Sequence, residues 1–140
     1  FKTTGTTSIK EERSSSSAER NATSDGIVLV HGVGVGPLPY LDLLTRIYKS
    51  TGLPILILEV PYIALRWSSP DIRGPDATAS AVTEAMRVVG MERATIVSHS
   101  FGTFMTSWIL RHSLENVHSV VMIDPVCLQL ARADVAFAAI

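Results

Sequence analysis

Ala94-Thr95-Ile96-Val97-Ser98-His99-Ser100-Phe101-Gly102-Thr103-Phe104-Met105 decides the reading of this chain. Residues 94–98 form a short run of the kind expected of a strand covered on both faces. Beyond them, Phe101, Phe104, Met105, Trp108 and Ile109 fall at the spacing of one helix face. The change from strand to helix occupies only Ser98-His99-Ser100-Phe101-Gly102, so the backbone must turn sharply. A turn this tight needs small residues two positions either side of Ser100, because the helix starts close to a neighbouring strand. Gly102 and Ser98 meet that need, Ser98 standing where glycine is usual. Such a turn is a nucleophile elbow: the serine hydroxyl projects above the sheet at a helix N-terminus, whose unpaired N–H groups favour developing negative charge. The plainer alternative makes Ser100 an ordinary helix N-cap.

Outward from the elbow, the same alternation of apolar runs and helical periodicity continues, the pattern of βα units around a parallel sheet. Downstream, a strand is predicted over 117–123, ended by Asp124-Pro125. Upstream, Asp76 is read as the N-cap of a helix with Ala81, Val82, Ala85, Met86 and Val89 on its buried face and Gly90 as its stop. A loop containing Trp67, Pro70, Gly74 and Pro75 precedes it, and before that a strand over 55–60. Tyr40, Leu43, Leu44, Ile47 and Tyr48 mark another helix, stopped by Gly52. The earliest strand, over 27–31, runs into Gly32-Val33-Gly34-Val35-Gly36. The expected architecture is α/β: a parallel sheet with helices on both faces and strands ordered second, first, third, fourth.

Residues 1–25 read as a polar linker with a Ser14-Ser15-Ser16-Ser17 run, too poor in apolar side chains to offset the entropy of ordering. Residues 26–140 read as a partial domain: the chain opens on Phe1 and stops inside an apolar run, as if cut from a longer product. A net charge of −1 with 18% charged residues gives no basic face for nucleic acid. The apolar runs are too short to span a bilayer. Cys127 is the only cysteine, which rules out an internal disulfide and a cysteine-based zinc site; it is read as buried and inert. The Asn21-Ala22-Thr23 sequon carries little weight, and compartment stays open.

Taken together, the elbow, His31-Gly32 at the end of an early strand, the glycine loop after it, and the element order over residues 27 to about 125 resemble the α/β-hydrolase superfamily of serine hydrolases. The strings His31-Gly32-Val33-Gly34-Val35-Gly36, His99-Ser100-Phe101-Gly102-Thr103 and Asp124-Pro125-Val126-Cys127 also resemble a subgroup of predicted hydrolases from fungi and algae. The resemblance implies Ser100 as nucleophile, backbone N–H groups of Val33 and Phe101 as an oxyanion hole, and His31, Gly32 and Gly34 as the loop that shapes it. It implies hydrolysis of an ester or related acyl bond in a small-molecule or lipid-like substrate, without cofactor or metal. Asp124 has two readings: the acid of the triad, as in the minority of the superfamily that resembles pancreatic-type lipases, or a plain strand terminator. His31 is read as structural, His99 as packing or hydrogen-bonding near the elbow, His112 as lying on a helix surface and His118 at a strand start. The catalytic histidine is therefore expected beyond this chain. Two alternatives remain: a catalytically inactive hydrolase-fold binding module, and a nucleotide-binding α/β domain. The glycines alternate instead of following G-x-G-x-x-G, which fits the nucleotide reading poorly, though Glu59 stands where a ribose-binding acid could.

Overall fold

A computed structural model describes residues 25–66 and 72–128. The linker reading of residues 1–25 lies outside them apart from Asp25, as do Trp67, Pro70 and residues 129–140. Four strands, β1 (Asp25–Val30), β2 (Ile55–Leu58), β3 (Arg93–His99) and β4 (Val117–Ile123), form one sheet in the order β2-β1-β3-β4, every pair parallel. The longer helices are α1 (Leu41–Thr51), α2 (Pro75–Val88) and α3 (Gly102–His112). The central strand β1 buries every residue after Asp25, and β3 buries Ala94, Ile96, Val97 and Ser98, which is why these stretches are largely apolar without strict alternation.

The sheet separates two cores. On one face Val28, Val30 and Ile96 pack with Val82 and Met86 of α2 and Met105 and Ile109 of α3. On the other, Ile27, Leu29 and Val97 pack with Leu44 of α1, flanked by Tyr40 and Ile47. The chain thus leaves β1 for one face and β3 for the other. Between adjacent parallel strands whose helices depart to opposite sides, the C-terminal ends open a crevice, the position at which open α/β sheets hold ligands. Register puts Val30, Ser98 and Met122 side by side, so the segments after β1, β3 and β4 emerge together at that edge.

Three details differ from the periodicity-based expectation. Pro75 occupies the first turn of α2 with Gly74 as N-cap, so Asp76 lies inside the helix; its buried side is Thr78, Ala79, Val82 and Met86, while Val89 is exposed. In α1 only Leu44 is buried, and Leu43 and Tyr48 are exposed, because this helix lies beside β2 at the sheet edge and finds little surface to cover. In α3 the buried side is Gly102, Thr103, Met105, Thr106 and Ile109, with Phe101, Phe104 and Trp108 only half-buried. Close approach to β1 selects small side chains over aromatic ones there. Among the described residues no helix is long and apolar enough to cross a membrane.

Candidate active site

The turn after β3 places Ser100 at φ +48°, in the left-handed region, directly before Phe101 and the start of α3. A non-glycine residue held there costs about 1–3 kcal/mol and persists only where its surroundings over-determine it. Here the constraints come from both sides of the residue. The Ser100 N–H donates to the carbonyl of Ile123 at the end of β4, at 3.0 Å. Its carbonyl accepts the N–H of Thr103 at 3.0 Å and the Thr103 hydroxyl at 2.7 Å. Thr103 is fully buried, and its hydroxyl oxygen also accepts the N–H of Cys127 at 3.3 Å. Cys127 itself is half-buried, less enclosed than its sequence context suggests. The Ser100 side chain is half-buried, and its hydroxyl has no hydrogen-bond partner among the described residues.

Gly102 shows why the elbow needs a small residue at that position. A Cβ there would lie 2.5 Å from the carbonyl oxygen of Val30 and 2.7 Å from that of His31, so only glycine lets α3 begin against the end of β1. Ser98, on the other side of the turn, is fully buried, and its hydroxyl lacks a partner among the described residues.

The glycine loop is held beside this turn. A Cβ on Gly32 would stand 2.9 Å from His99 Nδ1 and 3.0 Å from the Ser100 Cβ, so the loop backbone rests on the elbow itself. His31 is fully buried; its Nδ1–H donates to the Gly32 carbonyl at 2.7 Å and its Nε2 accepts the N–H of Val60 at 3.0 Å. Since a carbonyl only accepts and an amide only donates, these bonds set the proton on Nδ1 and occupy both ring nitrogens. The Gly34 N–H donates to the carbonyl of Ile63 at 2.9 Å, in the short turn after β2. Gly34 and Gly36 both take positive φ, the backbone reason for alternating glycines. No backbone hydrogen bond consumes the N–H of Val33 or Phe101 among the described residues.

Asp124 reaches the same edge. It follows Ile123, whose carbonyl holds the Ser100 N–H, and it is exposed with φ +50°. The structure brings Ser100, Phe101, Gly32 and Asp124 to one end of the sheet and leaves the remaining histidines elsewhere. His112 closes α3 and pairs with Asp76 Oδ1 at 2.8 Å, while His118, second in β4, lies at the opposite end of that strand. Glu59 is engaged by Arg66 in an ion pair. No three His, Cys, Asp or Glu side chains gather as a metal site among the described residues.

Sequence reasoning placed His99 near the elbow but missed its partner. Tyr40, which periodicity marks only as part of a helix face, accepts the Gly32 N–H at 3.2 Å and lies 2.7 Å from His99 Nδ1. No spacing rule links residues 40 and 99; only the adjacency of β1 and β3 brings them together.

No protein-family model matches the chain, and no curated protein does. Among solved structures it is similar to an extracellular α/β-hydrolase from a Paenibacillus species, a protein described as sharing structural and functional homology with tobacco salicylic acid binding protein 2. The identity is 13% and the TM-score 0.52, over 69% of this chain. The chain spans 39% of that protein's length. With its all-parallel β2-β1-β3-β4 sheet, helices on both faces and this structural likeness, the chain has an α/β-hydrolase fold.

Proposed function

We propose that the chain carries the nucleophile of a serine hydrolase that cleaves an ester or related acyl bond, in a small-molecule or lipid-like substrate, through an acyl-serine intermediate. The observation that carries this reading is Ser100: a left-handed serine at a strand-to-helix turn, its hydroxyl unpartnered among the described residues and its Cβ facing Gly32 of the glycine loop. In the reaction, Ser100 Oγ attacks the carbonyl carbon while a base takes its proton. The negative charge that develops on the carbonyl oxygen is received by the N–H groups of Val33 and Phe101, which no backbone acceptor has claimed among the described residues. Asp124, at the same edge, is the candidate acid.

We place the base outside this sequence. His31 has both ring nitrogens committed. His99 has its Nδ1 on Tyr40, and no hydrogen bond joins its ring to Ser100 among the described residues. His112 lies at the far end of α3, about 15 Å from its start at ~1.5 Å per residue. His118 lies about 16 Å from the C-terminal end of β4 at ~3.3 Å per residue. The test is labelling of the full-length protein with a fluorophosphonate probe. Adduct at Ser100, abolished in Ser100→Ala, is the expected result; turnover in that variant is expected to fall by up to about a millionfold. Labelling that persists in Ser100→Ala refutes the assignment.

A further inference from the structure

Past the end of the β1–β3 ladder, at Val30 and Ser98, no backbone hydrogen bond joins the glycine loop to the elbow among the described residues. Each is anchored instead to a third element. His31 and Gly34 hold to Val60 and Ile63, and Ser100 holds to Ile123. The link between the two comes from Tyr40, which stands just before α1. Its hydroxyl accepts the Gly32 N–H at 3.2 Å and meets His99 Nδ1 at 2.7 Å, the two rings tilted by 58° with centroids 5.7 Å apart.

Gly32 immediately precedes Val33, and His99 immediately precedes Ser100 and Phe101. The Tyr40 hydroxyl therefore joins the residue before one candidate oxyanion donor to the residue before the nucleophile. On the other side there is no slack, because Gly32 already rests against the Ser100 Cβ. We propose that Tyr40 and His99 are positioning residues, a hydrogen-bonded spacer that sets the separation between the Val33 N–H and the Ser100–Phe101 pair. This rests on the serine-hydrolase reading of the site.

The chemistry suits a fixed spacer. A phenol offers one proton and two lone pairs. With the Gly32 N–H on one lone pair, the phenolic proton serves an unprotonated Nδ1, and the second lone pair accepts from a protonated one. The link therefore forms in either state of His99. Because a misplacement of about 1 Å can cost on the order of a hundredfold in rate, while substrate binding is hardly touched, the effect belongs in kcat.

The experiment uses the full-length protein with p-nitrophenyl acetate as substrate, fluorophosphonate labelling of Ser100, and thermal melting followed by circular dichroism. Tyr40→Phe and His99→Leu are each expected to lower kcat about tenfold to a hundredfold, short of the hundredfold to thousandfold for deleting an oxyanion donor, with KM within about twofold. The double variant is expected to be no worse than either single one, since both break one link. His99→Asn, whose amide can still meet the Tyr40 hydroxyl, is expected to recover most of the loss. Should Tyr40→Phe not fold, the contrast of His99→Leu with His99→Asn carries the same test. A Tyr40→Phe protein that melts earlier but keeps its kcat, or single losses that multiply in the double variant, overturns the proposal and leaves the hydrolase reading standing. Absence of Ser100-dependent labelling in the unmodified protein overturns both.

Discussion

At Gly102 a missing methyl group decides how closely a helix can approach a strand. The obstacle to a Cβ there is the backbone of β1, the carbonyl oxygens of Val30 and His31, which no side-chain rotation can move aside. Gly102→Ala is therefore expected to destabilise the protein by about 1–3 kcal/mol, the usual cost of overpacking. Gly26 offers the control. The three atoms nearest a Cβ there all belong to the Met91 side chain, which can shift where a backbone carbonyl cannot, so Gly26→Ala is expected to cost less. Denaturant midpoints of the two variants measure the difference, and equal costs refute the argument. Ser98 belongs to the same turn but obeys a different constraint. It is small enough for the elbow, yet it buries a hydroxyl with no partner among the described residues, a feature glycine avoids.

At the scale of elements, the first turn of α3 ties two strand ends together. Thr103 receives the N–H of Cys127 from the segment after β4 and donates to the carbonyl of Ser100 after β3. Thr103→Val keeps the shape and removes both bonds; the Ser100 carbonyl still accepts the N–H of residue 103, so the Cys127 N–H is the group left short of a partner. The expected loss is about 1–3 kcal/mol, with Thr103→Ser close to the parent in a chemical denaturation series. If Thr103→Val is as stable as Thr103→Ser, the hydroxyl is not what holds the turn. The pair His112–Asp76, which joins the end of α3 to the first turn of α2, is a different matter. Asp76 is exposed, and a surface pair of that kind contributes about 0–1 kcal/mol.

At the scale of the whole molecule, Ser100, the glycine loop and Asp124 share one edge of the sheet; His31 has both ring nitrogens bonded, His99 its Nδ1, and His112 and His118 lie away from that edge. The 140-residue chain by itself is therefore expected to hydrolyse p-nitrophenyl acetate no faster than its Ser100→Ala variant, because a protonated serine is a weak nucleophile at neutral pH. A Ser100-dependent rate in the isolated chain would identify one of its own histidines as the base and remove the need for one from elsewhere. The sheet's outer strands, β2 and β4, pair on one side only among the described residues, and Ile57, Val121 and Ile123 remain exposed on them. A shallow apolar hollow of about 470 Å³ runs along the first of these edges, between Leu41, Leu44 and Tyr48 of α1 and Ile55 and Ile57 of β2.

Strand identity, element order and the position of the elbow were legible in the amino-acid sequence because each rests on local rules. A strand buried on both faces must be continuously apolar, as in residues 27–30, and a sharp strand-to-helix turn must be small on either side of its apex, as at Ser98 and Gly102. The bounds of β4 followed directly from Val117 and from the Asp124-Pro125 stop. Periodicity also named the helices, but not how deeply each would be buried. That depends on what lies opposite: the sheet edge beside α1, and the backbone of β1 beside α3. The bond between Tyr40 and His99 left no trace in spacing, nor did the commitment of His31 to Val60. Such contacts join residues whose separation along the chain is set by an intervening βαβ excursion. Only the pairing of β1 with β3, a hydrogen-bonded ladder between segments distant in sequence, brings the glycine loop onto the elbow.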